Sequence, residues 1–159
     1  MIADEEPEAS TRRDHRHRAR EAALQMLYQW EVGRTGIDEV VETYWSIERP
    51  EEAPLAEPLQ AFATGLARGT VGRLEDIDHL IAEHAEHWRP SRIAVIDREI
   101  LRLAIYEFLS AADVPKKVVI NEALELARTF SADEAIGFVN GILDAVKREL
   151  EAGGERDRP

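Results

Sequence analysis

The sequence DREILRLAIYEFLSAADVPKKVVINEALELARTFSADEAIGFVNGILDAV occupies residues 97–146 and decides the fold class of this chain. Its apolar residues recur at three- and four-residue spacing, which is the period of an α-helix. Pro115 suits the first turn of a helix, and Ser131 with Glu134 makes an S-x-x-E capping box, so the stretch divides into three helices. In the first of them the apolar side chains lie nearly all round, which predicts a helix at the centre of the fold.

The helical period continues towards the amino terminus. It predicts a helix from residue 11 to Gly33, a short helix around residues 37–45, and two more over residues 59–71 and 74–88. Three prolines interrupt an acidic loop after the short helix, because proline breaks a helix interior. There is no strand-like alternation. We therefore expect an all-α fold, a single compact domain of six or seven helices arranged as two small packed bundles.

The chain is expected to have three parts. Residues 1–10 form a leader with four acids, a proline and no apolar period, and such a composition predicts disorder. Residues 11–152 form the helical domain, with one bundle over about residues 11–72 and the other over about residues 73–152. Residues 153–159 begin with two glycines and are expected to fray.

The composition excludes several classes of protein. The chain has 159 residues and no cysteine, which excludes a disulfide framework, a thiolate zinc site and a cysteine nucleophile. No apolar run approaches the roughly 20 residues of a membrane span. The amino terminus also lacks the basic-then-apolar order of a secretory signal. We therefore expect a soluble cytoplasmic protein with no membrane partner.

Charge is distributed unevenly along the chain. The formal net charge of −12 taken alone argues against nucleic acid as a partner. Residues 11–20, however, carry five arginines and two histidines against one acid. Within a sector of roughly 100° on the helical wheel lie Arg12, Arg13, Arg16 and Arg20. His17 borders this sector and Arg18 points elsewhere. Guanidinium groups bind phosphate in bidentate fashion, although a charge run is also compatible with a merely solvated helix end.

Three aromatic residues are candidates for stacking on bases. Recognition of single-stranded RNA usually combines basic groups with aromatic platforms, and the candidates are Tyr28, Phe130 and Phe138. Core packing is the alternative for each of them. The residues alone favour burial of Phe130, which completes the buried stripe of its helix. Phe138 lies beside its stripe, which favours exposure.

Four motifs carry a resemblance to a known family, and in chain order they are RAREAALQMLYQWE, DREILRLAIYE, VPKKVVINEALELA and FVNGILD. Together they resemble the NusB family, the bacterial transcription antitermination and ribosomal RNA biogenesis factors, over about residues 12–148. The resemblance implies a non-catalytic factor that binds boxA, a short single-stranded RNA element, together with the ribosomal protein NusE. Other Nus factors and RNA polymerase would be indirect partners. It implies no cofactor and leaves both a monomer and a homodimer open.

The resemblance also assigns residues. It places near RNA Arg16, Arg18, Arg20, Phe130 and Phe138. This chain departs from the family pattern at His17, where arginine or lysine is common, at Gly137, where a basic residue is expected, and at Ser131, where glycine is expected. The full candidate set for RNA contact is Arg12, Arg13, Arg16, His17, Arg18, Arg20, Tyr28, Phe130 and Phe138.

Two other functions are compatible with the residues. One is a protein-only interaction module on the same fold, without RNA binding. The other is a helical metalloenzyme, because carboxylates and imidazoles suit zinc or iron and a stripe of them runs along residues 74–88. The stripe consists of Asp76, His79, Glu83 and His87, with His84 nearby. A solvated polar face explains it better, since a bundle metal site draws ligands from several helices and the last three helices contain no histidine. We therefore predict no metal site and no catalytic residue.

Overall fold

The structure is a computed structural model that describes residues 5–85 and 92–156, with the backbone alone for residues 5–14 and 154–156. Within these ranges it contains seven helices and no strand, which confirms the predicted all-α class. The helices are α1 (Glu5–Gly33), α2 (Ile37–Ser46), α3 (Glu57–Gly72), α4 (Leu74–His84), α5 (Val95–Ser110), α6 (Lys116–Phe130) and α7 (Asp133–Arg156). None of the described helices combines the length and the apolar character that crossing a bilayer requires.

The first and last helices extend beyond their predicted limits. α1 begins at Glu5, so residues 5–10 are helical where the composition predicted a disordered leader. Acidic side chains near a helix amino terminus complement the helix dipole, and proline is tolerated in the first turn. α7 continues to Arg156, into the segment that the two glycines predicted to fray. Residues 1–4 and 157–159 lie outside the described residues.

Several boundaries differ from their sequence signals. α1 ends at Gly33 as predicted, but Arg34 takes the left-handed conformation that usually favours glycine, with a φ of 54°. α4 ends at His84, before the predicted limit at residue 88, and residues 86–91 lie outside the described residues. The capping box of α7 does not form, because the Ser131 hydroxyl is buried with no hydrogen-bond partner among the described residues. α7 instead begins two residues later, at Asp133.

The chain divides into two compact units, Met1–Arg68 and Gly69–Pro159. In the first unit α1 packs against α2. The helical period puts six apolar side chains of α1 on one face. Trp30 is half-buried, and the other five are fully buried, namely Ala19, Ala22, Ala23, Met26 and Leu27. In the second unit α5 packs against α4, α6 and α7. Each unit therefore has its own apolar core.

α5 is the central helix of the second unit, as its all-round apolar pattern predicts. Every residue over the range 99–105 is buried. Two of these seven residues are charged, Glu99 and Arg102. A buried charge is costly unless it is paired and hydrogen-bonded, so the position of α5 requires partners for both groups.

Arg102 joins α5 to α4 through a buried ion-pair network. Its Nε and Nη2 atoms donate to the two carboxylate oxygens of Asp78, each at 2.8 Å. Its Nη1 atom donates to Glu99 Oε1 at 2.7 Å. The fork of Arg102 therefore has two carboxylate partners, one on its own helix and one on the neighbouring helix.

We expect Arg102→Ala to lower the free energy of unfolding by about 3–5 kcal/mol, because it leaves the buried Glu99 carboxylate without this cation. Arg68→Ala is the matched control, since Arg68 forms an exposed ion pair with Asp38 at 2.9 Å. Such pairs contribute about 1 kcal/mol or less. Urea unfolding of both variants measures the difference. Equal losses would show that the Arg102 network is not a special element of the core.

Two glycines of α3 differ in their surroundings. A Cβ atom at Gly69 would overlap the Tyr106 ring of α5, whereas a Cβ atom at Gly65 would meet no atom within 4 Å. We expect Gly69→Ala to destabilise the protein by about 1–3 kcal/mol through this overlap. Gly65→Ala should stabilise it by about 0.5–1 kcal/mol, because alanine is the better helix former. Thermal denaturation distinguishes the two signs, and a shift of both variants in one direction would contradict the close approach at Gly69.

Candidate nucleic-acid interface

Arg16 is an exposed arginine of the candidate set. Among the arginines of that set whose side chains the structure describes, it alone is classed as exposed. Its guanidinium makes no hydrogen bond or ion pair with any described residue. No residue that the structure describes therefore occupies its donors, and its planar fork matches the geometry of a phosphate.

The structure places Arg20 inside the fold, which corrects its predicted place in an exposed basic sector. Its side chain is only 4% exposed, and its Cζ atom lies 5.5 Å from the centre of the Phe62 ring. That distance is within the range of a cation–π contact. Arg20 is buried because it lies on the same face of α1 as Leu27. Leu27 is two turns further on, only about 20° away on the helical wheel, and it is fully buried. The side of α1 that is exposed at Arg16 is therefore packed against the protein one turn later, at Arg20.

Arg18 is half-buried and is held by the loop between α2 and α3. Its Nη2 atom donates to the carbonyl oxygen of Ala53. His17 is also half-buried, and its Nε2 atom lies 3.1 Å from Glu21 Oε1. Both residues therefore already have partners within the chain. The side chains of Arg12 and Arg13 lie outside the described residues, and only the helical path of their backbone is known.

Arg18 also lines a cavity of 680 Å³ that sequence reasoning missed. Arg49 stacks on Tyr44 here, with its Cζ atom 3.8 Å from the ring centre. The Tyr44 hydroxyl donates to Gln25 Oε1 at 2.6 Å, and burial raises the pKa of Tyr44 above its ordinary value. No periodicity could reveal this cavity, because an irregular loop closes it.

The charge of this cavity does not favour phosphate. Carboxylates of Glu21, Glu48 and Glu52 line it together with the two guanidinium groups of Arg18 and Arg49. Acidic groups thus outnumber basic ones, and like charge repels a polyanion. The phosphate-binding capacity of the described part of α1 is therefore concentrated at Arg16.

Tyr28 is accessible but does not adjoin Arg16. It is 43% exposed and lines a separate cavity of 420 Å³ with Val32 and Thr43. Twelve residues separate Tyr28 from Arg16, which corresponds to about 18 Å along the helix axis. The two side chains therefore cannot contact the same nucleotide.

Phe130 is exposed, contrary to the burial that its helical stripe predicts. It is the last residue of α6 and is 36% exposed, since the chain leaves the helix there and no further turn covers the ring. Phe138 in α7 is half-buried rather than exposed and makes contacts within the chain. The cation nearest to Phe130 in sequence, Arg128, is paired with Glu125. Phe130 thus offers a stacking face, while its neighbouring charge is neutralised.

We expect the two arginines of α1 to differ in their effect on stability. Arg20→Ala should lower the free energy of unfolding by about 1–3 kcal/mol, because it removes a packed cation and leaves a gap beside Phe62. Arg16→Ala should change it by no more than about 0.5 kcal/mol, as is usual at an exposed site. Urea unfolding monitored by circular dichroism tests this pair. Equal effects would contradict the structural role of Arg20.

Comparison with known proteins identifies the family. Residues 17–148 match the NusB family. Over 137 residues the chain is 48% identical to the transcription antitermination protein NusB of Koribacter versatilis (strain Ellin345), covering 86% of this chain and 91% of that protein. The structure of T. maritima NusB superposes with a TM-score of 0.75 at 34% identity, covering 84% of this chain and 91% of that one. A crystal structure of the antitermination factors NusB and NusE in complex with double-stranded RNA superposes with a TM-score of 0.67 at 26% identity, covering 86% of this chain and 98% of that one. The chain belongs to the NusB family.

Proposed function

We propose that this chain is a transcription antitermination factor that binds RNA through the amino-terminal part of α1. The observation that carries the proposal is the guanidinium of Arg16, which is exposed and pairs with no residue that the structure describes, in a chain of this family. Arg12 and Arg13 precede Arg16 by four and three residues, which are positions on the same side of a helix. The three residues would form a short basic row that binds successive phosphates.

The proposed ligand is a boxA-type single-stranded RNA. The related complex of NusB and NusE contains double-stranded RNA, and phosphates are present in either form. Guanidinium contacts to phosphate fix position but carry no sequence information. Discrimination would therefore need an unpaired base stacked on an aromatic ring, and the exposure of Phe130 supports that residue as a candidate for stacking.

The proposed protein partner is a NusE-type ribosomal protein, as in the related complex. The net charge of −12 supports a basic partner, because opposite charge speeds encounter. We propose that the factor acts in the cytoplasm without catalysis, and that other Nus factors and RNA polymerase join the assembly indirectly. The role of the chain would be that of an adaptor between RNA and protein.

A salt series of RNA titrations tests the phosphate contacts. If Arg12, Arg13 and Arg16 each neutralise one phosphate of a single strand, the logarithm of affinity should fall against the logarithm of salt concentration with a slope of about −2. Arg16→Ala should weaken binding and reduce the size of the slope by about 0.7. Arg148→Ala is the matched control, since Arg148 is an exposed arginine paired with Asp144 at 2.7 Å. A slope near zero, or equal behaviour of the two variants, would contradict the proposal.

A protein-only interaction module is the second candidate function. The observation that favours it is the internal engagement of Arg18 and Arg20, which leaves fewer cations for RNA than the sequence suggested. Titrations with boxA-type RNA, its duplex and an unrelated single strand, each with and without NusE, distinguish the two functions. Binding of NusE with no RNA affinity in any arm would favour the second candidate.

A further inference from the structure

Outside the candidate RNA interface, three metal-ligating side chains meet where α4 and α7 pack together in the second unit. They are Glu83 and His84, at the end of α4, and Glu149 of α7. One potential ligand atom of each lies within 4.8 Å of the other two. His84 Nε2 lies 2.8 Å from Glu149 Oε2. The sequence stripe along α4 did not show this cluster, because its third member comes from another helix.

The cluster has an excess of negative charge. It combines the two carboxylates of Glu83 and Glu149 with the one imidazole of His84. Glu83 and His84 are also the last two residues of α4, where the helix dipole is negative and favours a cation.

We propose that Glu83, His84 and Glu149 bind a divalent transition-metal ion of the zinc type, which bridges α4 to α7. One nitrogen and two oxygen ligands suit zinc, whereas magnesium and calcium prefer oxygen alone. Tetrahedral bonds of about 2.0–2.1 Å place neighbouring ligand atoms about 3.3 Å apart. The His84–Glu149 pair therefore needs to open by only about 0.5 Å.

A neighbouring histidine contacts one of the proposed ligands, and the site leaves space for a water molecule. His79 Nε2 lies 2.9 Å from Glu83 Oε1, which orients that carboxylate as outer partners orient metal ligands. The cluster is partly open to solvent, since the Glu83 and Glu149 side chains are 39% and 44% exposed. A water molecule can complete the fourth position. This site would stabilise the second unit and does not depend on RNA binding.

The test uses the full chain without an affinity tag, stripped with a chelator and then freed of it. Calorimetric titration with ZnCl2 should show saturable binding of one ion per chain, and the melting temperature should rise with zinc. His84→Ala and Glu149→Gln should each weaken binding about tenfold or more. His15→Ala is the matched control, because His15 is exposed on α1 and should leave the affinity unchanged.

Two further measurements distinguish a specific zinc site from non-specific binding of divalent ions. Cobalt substituted for zinc should give the visible absorption of a tetrahedral site, and Glu149→Gln should remove it while circular dichroism shows an intact fold. Magnesium in excess should not displace zinc. The inference is overturned by the absence of saturable binding, by equal affinities of His84→Ala and His15→Ala, or by displacement by magnesium.

Discussion

A guanidinium group that leaves water must be paired or stacked, and this constraint separates the arginines of this chain into two kinds. Arg102 lies in the middle of a helix that is buried on every side, and it is held by Asp78 and Glu99. Arg20 lies on the packed face of α1 against Phe62. Both serve the fold. Arg16, one turn before Arg20, remains in water and is available for a ligand.

The consequence for function is a smaller basic surface than the composition suggests. In the sequence, a run of five arginines on an acidic chain suggests one RNA-binding patch. In the structure the run divides at Arg18, which is held by the loop carbonyl of Ala53. The exposed Arg16 that remains on the other side of this division is suited to contact a short segment of RNA. A basic protein partner such as NusE would then meet the acidic remainder of the chain.

The helices and the central position of α5 could be predicted from sequence, because burial on all sides leaves an all-round apolar pattern. The ends of the helices were harder to predict from sequence. Ser131 has the sequence of a cap, yet its hydroxyl makes no such bond, since a local motif does not determine where the next helix starts. The candidate site could be predicted only in part. Periodicity gives the position of Arg20 around the axis of α1, but it does not show at which residue along the helix the packing begins. It also cannot show that Phe130 is exposed at a helix end.

The proposed function requires that residues 11–18 of α1 bind RNA while Arg20 belongs to the core. Amide hydrogen exchange with and without boxA-type RNA distinguishes these two parts of the helix, because an exposed segment opens more readily than a buried one. RNA bound there should slow exchange over residues 11–18 and leave the buried segment around Arg20 unchanged. Protection confined to other parts of the chain, with no change over residues 11–18, would contradict RNA binding by this segment of α1.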